Sequence, residues 1–308
     1  MIDSIMLSKK SKYFNELVRL TKTIEKDHNI NALCSALFSS LPMGLDNVNS
    51  DFDAFILVKD ISKCERLVPN IQIYYDKMFK LIYYNYNGVM FFDHKINDSK
   101  IAFDVCINDN IIVNSANENY KCENYPSYHN ISLEEHLNES GKAFCFQERS
   151  SRIFIQRMLI YRSIWDKENF IHDNWNEIQR KYLKTLEIMD MWYTTSQGHV
   201  DFTLEKEKIQ LRKYLNMMNS LMAMKWIMQY NTLPPILFTE VLNICDNIMV
   251  KNEVMRLFVL HKNQKEFKNK VHIDNIPFIK EYYLKELYDV RKFMEKLCKT
   301  NPLLYLQV

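Results

Sequence analysis

Strand-like and helical runs mix in the first half of this 308-residue chain, and the second half turns helical throughout, a contrast that limits the folds open to it. Up to about residue 108, short apolar runs alternate with polar turns: NALCSALF (31–38), DAFILV (53–58), GVMFFDHKI (88–96) and KIAFDVCIN (100–108). Each has the length and composition of a buried strand. From about residue 149 the apolar positions recur with helical spacing, in RSSRIFIQRMLIYRSIW, NWNEIQRKYLKTLEIMDMWY, EKEKIQLRKYLNMMNSLMAMKWIMQY and FIKEYYLKELYDVRKFMEKLC. With only four glycines and seven prolines in the chain, these elements are expected to be long and regular.

Smaller features fill in the order. Residues 11–26 carry Phe14, Leu17, Val18, Leu20 and Ile24 at near-helical spacing and predict an opening amphipathic helix. Residues 61–84 read as mainly helical, with Pro69 breaking or starting a helix. Asn97-Asp98-Ser99 predicts a turn joining the two later strands into a hairpin. Residues 109–148 are polar and read as an irregular connection with a short helix near 132–140. Pro234-Pro235 ends one long helix and Pro277 precedes another. The expected architecture is α+β: a mixed sheet with flanking helices over residues 1–148, then an all-α helical bundle over residues 149–308.

Several function classes are disfavoured. The seven cysteines lie at wide, irregular spacings with no CxxC pair, which argues against a zinc ribbon or a thioredoxin motif. Free thiols of this kind suit a reducing, cytoplasmic setting. The longest apolar stretches are shorter than a membrane span. No HExxH, GxGxxG, Walker A or GxSxG motif occurs. The Met-rich stretch 217–228 and the 18 Tyr and 18 Phe read as core. Charge is uneven: residues 1–150 hold 16 Lys/Arg against 20 Asp/Glu, and residues 151–308 hold 24 against 18. An acidic half and a basic half suit a site that takes a metal on one side and phosphates on the other. The basic excess is too modest for a nucleic-acid groove.

The chemistry concentrates in two places. Ser39-Ser40-Leu41-Pro42-Met43-Gly44 follows one strand, and Asn49-Ser50-Asp51-Phe52-Asp53 opens the next. Strand alternation turns Asp51 and Asp53 to the same face, about 7 Å apart along the strand. Two such carboxylates can share a pair of hard cations. In Ile101-Ala102-Phe103-Asp104-Val105-Cys106-Ile107, Asp104 interrupts a strongly apolar run. A carboxylate there requires a metal or a cationic partner. Asp93, on the adjacent run, is its competitor.

The turn, the second glycine, the Asp-x-Asp and the later strand Asp together resemble the signature of the DNA polymerase β nucleotidyltransferase superfamily. Ser40, Gly44, Ser50, Asp51 and Asp53 stand at the motif's spacing, and Asp104 stands in its hydrophobic-Asp-hydrophobic strand. The resemblance covers roughly residues 30–108. It implies the nucleotidyltransferase fold, two Mg²⁺ ions held by Asp51, Asp53 and Asp104, and a nucleoside triphosphate donor. It also implies that the serine turn, Ser39 and Ser40 with Gly44 and Ser50, contacts the phosphates. The helical half resembles, in general character, the bundles appended to antibiotic and other small nucleotidyltransferases. In one position the pattern is broken: Ser39 stands where the family has its first glycine.

The implied reaction moves a nucleoside monophosphate to an acceptor hydroxyl, a small molecule first. A protein or tRNA acceptor, as in toxin-type modification, is the rival. Ser39 motivates a different class of reading, a catalytically silent nucleotide-binding or interaction module. Further cations for the triphosphate are sought on the basic helices: Arg212, Lys213 and Lys225 on one helix, with Arg149, Arg152, Arg157 and Arg162 before it. Each can equally be a solvated surface charge.

Overall fold

The computed structural model describes residues 14–15, 17–19, 21–22, 25–26, 29, 31–38, 40–47, 52–58, 84–86, 89–96, 101–109, 156–162, 164–203, 208–263 and 271–307. The chain forms two compact units. The first holds residues 1–42, 50–119 and 134–178, and the second holds 43–49, 120–133 and 179–308. A seven-residue stretch from the first half of the sequence thus folds with the helical second half.

The first unit is built on a six-stranded mixed sheet in the order β3-β4-β5-β2-β1-β6. Its strands are β1 (Ala32–Phe38), β2 (Phe52–Val58), β3 (Tyr84–Tyr86), β4 (Val89–Ile96), β5 (Ile101–Asp109) and β6 (Ile164–Asp166). β2 and β5 run parallel, and every other neighbouring pair is antiparallel. The expected hairpin is β4–β5, with Ile96 registered opposite Ile101. β1 reads as a nearly unbroken apolar run because it is covered on both faces: beyond the register shift between Ala32 and Cys34, Cys34 and Ala36 are buried on one side, Ser35 and Leu37 on the other. The Cys34 thiol reaches the Met158 sulfur at 3.6 Å, and burial pushes its pKa well above the ordinary thiol range. The residues described between 14 and 26 are helical, as the spacing predicts, with Leu17 and Thr21 buried.

Two strand assignments correct the sequence reading. Tyr84, expected at the end of a helix, begins the short edge strand β3. Ile164 and Trp165, expected to continue a helix, form β6 against β1, with Trp165 opposite Ser35. The described helix there covers residues 156–161 and ends at Arg162, which takes a left-handed φ of 50°. Pairing with an open sheet edge outweighs helical propensity once the backbone turns at that point. Beyond it, Lys167 bridges to Glu25 at 2.7 Å, and Glu25 also accepts from the Ala32 backbone amide at 2.9 Å. The start of β1 is thereby pinned. The readings for 61–83, 97–99 and 110–148 lie outside the described residues.

The second unit contains α2 (Thr185–Thr203), α3 (Leu211–Tyr230), α4 (Ile248–Lys262) and α5 (Pro277–Thr300), and the division between units falls within α1 (Trp175–Tyr182). It is not all-α as expected. Lys208–Gln210 (β7) and His272–Asp274 (β8) pair as a two-stranded antiparallel sheet. The stretch 174–193, expected as one helix, is broken between α1 and α2. There the Leu183 carbonyl accepts from Leu306 N at 2.9 Å, and Thr185 N donates to the Leu304 carbonyl at 2.8 Å. A long-range pairing with the C-terminal segment takes the backbone groups that a continuous helix would have used.

α3 is the centre of this unit. It is buried around most of its circumference, including Met217, Met218, Met222 and Met224 from the Met-rich stretch. Asn231 ends it in the left-handed region at φ 49°, and the Asn231 side chain ties to Thr185 and to the Tyr305 carbonyl. α5 starts with Pro277 in its first turn and buries Ile279, Tyr283, Leu287, Val290, Met294 and Leu297 at helical spacing. A charged pair crosses this core. Lys225 of α3 lies 2.5 Å from the Glu286 carboxylate of α5 and donates to the Tyr282 hydroxyl at 2.8 Å. Both charged side chains are less than a tenth exposed.

Removing one partner of such a pair strands a buried charge, whereas replacing both leaves an apolar contact. Lys225→Met is expected to destabilise the protein by about 3 kcal/mol or more in urea unfolding, and Lys225→Met combined with Glu286→Leu to recover most of that loss.

Candidate functional site

Three acidic positions fall in one row across the first unit's sheet. Asp53 of β2 is registered opposite Asp104 of the parallel strand β5, and Asp104 is opposite Asp93 of β4. On its other side, Asp53 is opposite Phe38, the last residue of β1. Registered neighbours share a face of a sheet, on strands about 4.8 Å apart. The row therefore gathers three carboxylate-bearing positions at the end of β1, where the serine turn departs. For Asp53, Asp93 and Asp104 the backbone is described. Asp51, Ser39 and Ser50 lie outside the described residues.

The donor set suits a hard divalent cation such as Mg²⁺, which takes carboxylate oxygens and needs no nitrogen or sulfur ligand. Among the described residues no group of three or more His, Cys, Asp or Glu side chains is placed to hold a metal ion. The fit therefore rests on the chemistry and register of these positions.

The turn after β1 runs through Ser40, Leu41, Pro42, Met43 and Gly44. Ser40 is buried. Gly44 has φ 69°, the left-handed region in which a Cβ is costly, so a glycine is required for the chain to reverse here. From Met43 onward the segment belongs to the second unit and is fastened there at successive residues. The Met43 carbonyl accepts from Phe238 N at 2.9 Å. The Leu45 carbonyl meets His261 Nε2 at 2.9 Å. Lys262 Nζ donates to the Asp46 carbonyl at 2.5 Å and to its carboxylate at 3.2 Å. Asn219 adds a contact to the Met43 sulfur at 3.2 Å.

Sequence reasoning missed His261 and Lys262 because it missed their helix. α4 buries Val250, Val254, Leu257, Phe258 and His261, but Ile248, Met249, Val259 and Leu260 are exposed on its other faces. Apolar residues all round blur the helical period. One signal was available: Asn247 caps the helix, its side chain accepting from Met249 N at 3.0 Å and Val250 N at 3.2 Å.

His261 is buried. A carbonyl can only accept, so Nε2 carries the proton toward Leu45. Nδ1 then presents a lone pair that has no hydrogen-bond partner among the described residues. Burial holds the imidazole pKa below its ordinary value, and the Arg212 and Lys262 charges push the same way, against the Leu45 bond and Asp46.

The other named cations fall as follows. Arg212 and Lys213 stand in the first turn of α3, half-buried, with Arg212 close enough to act electrostatically on His261. Lys225 is engaged by Glu286 in the core and is not a phosphate cation. Arg157 is half-buried and Arg162 exposed, while Arg149 and Arg152 lie outside the described residues.

Residues 163–287 match the family model RlaP, described as the RNA repair pathway DNA polymerase beta family. That match lies outside the stretch 30–108 that carries the Asp-x-Asp resemblance, so the two are separate observations. The solved structure of spectinomycin adenyltransferase AAD(9) from Enterococcus faecialis, with ATP and spectinomycin, is similar at a TM-score of 0.46 and 14% identity. The similarity spans 89% of this chain and 99% of that one. No curated protein matches the chain. No helix among the described residues is long and apolar enough to cross a membrane.

The depressed His261 pKa makes a pH prediction. An unfolded histidine binds its proton near pH 6.5, the folded one only at lower pH. The imidazole's contribution to stability is therefore complete above about pH 6.5 and is lost as pH falls through the folded value. Thermal melts between about pH 7 and pH 5 should show a falling midpoint for the wild type, and His261→Gln should fall less over the same window.

Proposed function

We propose that this chain, a member of the DNA polymerase β-like nucleotidyltransferase superfamily, transfers a nucleoside monophosphate from a nucleoside triphosphate to an acceptor hydroxyl. The register of Asp53 with Asp104, beside the turn that leaves β1, is the observation that carries the reading. Asp51, Asp53 and Asp104 are the metal-holding carboxylates. When bound there, two Mg²⁺ ions supply Lewis acidity toward the acceptor hydroxyl and neutralise charge on the phosphates.

The chain's own residues do the rest. Asp104 takes the proton from the acceptor hydroxyl. The acceptor oxygen forms a bond to the α-phosphorus, the bond from that phosphorus to its bridging oxygen breaks, and pyrophosphate leaves. Ser39, Ser40, Gly44 and Ser50 bind the phosphates, with Gly44 letting the backbone approach closely. Arg212 and Lys213 supply further positive charge to the triphosphate.

A small-molecule hydroxyl is the preferred acceptor, since the basic excess of the second half is modest for a nucleic-acid surface. An RNA acceptor is the second reading, favoured by the RNA repair description of the family matched by residues 163–287.

Labelled triphosphates incubated with the protein, Mg²⁺, and either RNA or small polyols and aminoglycosides should place label on one acceptor class. Asp53→Ala and Asp104→Ala should each lower that transfer by at least about a hundredfold, with melting behaviour preserved. Transfer equal to wild type in both variants removes the mechanism. Triphosphate binding without transfer to any acceptor, with Ser39 in the turn, points to a silent nucleotide-binding module instead.

A further inference from the structure

We propose that His261 and Lys262 are positioning residues: they hold segment Met43–Asp46 in its binding shape and so set the affinity for the triphosphate without touching it. The inference rests on the nucleotidyltransferase reading and adds residues from a helix with no part in the recognised signature.

The argument begins with chain distance. Met43 follows Ser40 by three residues, and Asp53 follows Asp46 by seven. The segment therefore carries Gly44 of the turn proposed to bind phosphate and leads from Ser40 toward the Asp-x-Asp, so its shape limits where both can go. Regular pairing does not define that shape, because β1 ends at Phe38 and β2 begins at Phe52. Gly44 adds a left-handed residue that makes several paths accessible. What selects one path is a set of donors from the second unit. Phe238 N, His261 Nε2 and Lys262 Nζ bind the carbonyls of Met43, Leu45 and Asp46 in turn.

Two adjacent residues of α4 supply two of those three donors. His261 is buried with its proton directed at Leu45, and Lys262 engages Asp46 through both backbone and side chain. A hydrogen bond from a charged donor contributes more than a neutral one and loses more when removed. Lys262 is the last residue of α4, where its positive charge is favoured by the helix dipole. Phe238, the third donor, is fixed by its own burial against the Phe258 ring at 5.5 Å, one turn before Lys262 on α4. The end of a single helix thus governs the segment.

The test compares His261→Leu and Lys262→Met, which remove the donors, with His261→Gln and Lys262→Arg, which keep one. The first pair is expected to raise the KM for the triphosphate, or its Kd measured by calorimetry, about tenfold, with kcat and the acceptor KM within about twofold of wild type. The second pair should restore most of the affinity. Amide hydrogen exchange, which needs no activity, should show segment 43–49 exchanging faster in His261→Leu and Lys262→Met and near wild type in the conservative variants.

Unchanged exchange in segment 43–49 overturns the proposal, because the donors then do not hold it. Faster exchange with unchanged triphosphate affinity also overturns it, because the held shape then does not serve the nucleotide. A common loss of kcat and both affinities, with no rescue by the conservative variants, assigns the residues to general stability instead. If the wild type itself neither binds triphosphate nor transfers it, the nucleotidyltransferase reading fails and the nucleotide half of this proposal fails with it. The exchange result alone then decides whether the donors hold the segment.

Discussion

The parallel register between β2 and β5 is the constraint on which the first unit is built. β5 is hydrogen-bonded on both sides, antiparallel to β4 and parallel to β2, so its position is fixed twice. A shift of one residue in either ladder would carry Asp104 to the opposite face of the sheet and leave Asp53 without its counterpart. A strand held from both sides resists that slip. The same double pairing brings Asp93 into the row, so that three acidic positions from three strands are aligned by backbone hydrogen bonds. Carboxylates gathered on neighbouring strands repel one another unless a cation or proton is shared among them. That cost is what a cation in the proposed metal site would offset.

The second unit solves a different problem, which is to order long helices around a hydrophobic centre. α3 is surrounded, and its methionines adapt to irregular neighbours on several sides. Specific polar contacts supplement the apolar packing. Lys225, Glu286 and Tyr282 join α3 to α5, and the hydroxyls of Ser196 and Tyr283 join α2 to α5. The C-terminal segment from Leu304 to Gln307 is laced to the breaks at Leu183 and Asn231 by backbone hydrogen bonds. These contacts satisfy groups that the helix ends leave open, which burial alone would penalise.

Segment 43–49 connects the two problems along the chain. It is flanked by residues of the first unit yet folds with the second, and its carbonyls are claimed by donors that lie about two hundred residues later. A loop tied in this way cannot be assigned to one half of the protein on grounds of sequence position. Through His261 and Lys262, the end of α4 contacts the segment that follows Ser40 and precedes the Asp-x-Asp. His261 is buried among Arg212, Lys262 and Asp46, and burial holds its pKa below the ordinary value.

By itself the sequence determined what local chemistry and periodicity can carry. The apolar runs beginning at Asn31, Asp53, Gly88 and Lys100 supplied the strands Ala32–Phe38, Phe52–Val58, Val89–Ile96 and Ile101–Asp109, the Met-rich stretch became core, and Pro277 opened its helix. Asp53 and Asp104 could be picked out because an acid inside an apolar strand is conspicuous on its own terms. The tertiary structure decided whatever depended on a distant partner. It made a strand of Ile164–Asp166 by offering the edge of β1, and it split 174–193 by pairing Leu183 and Thr185 with the C-terminal segment. It also set Asp104 opposite both Asp53 and Asp93, and brought His261 and Lys262 to the loop. Those outcomes arise from hydrogen-bonding groups far apart in the chain, and no local pattern encodes which distant donor an open carbonyl will meet.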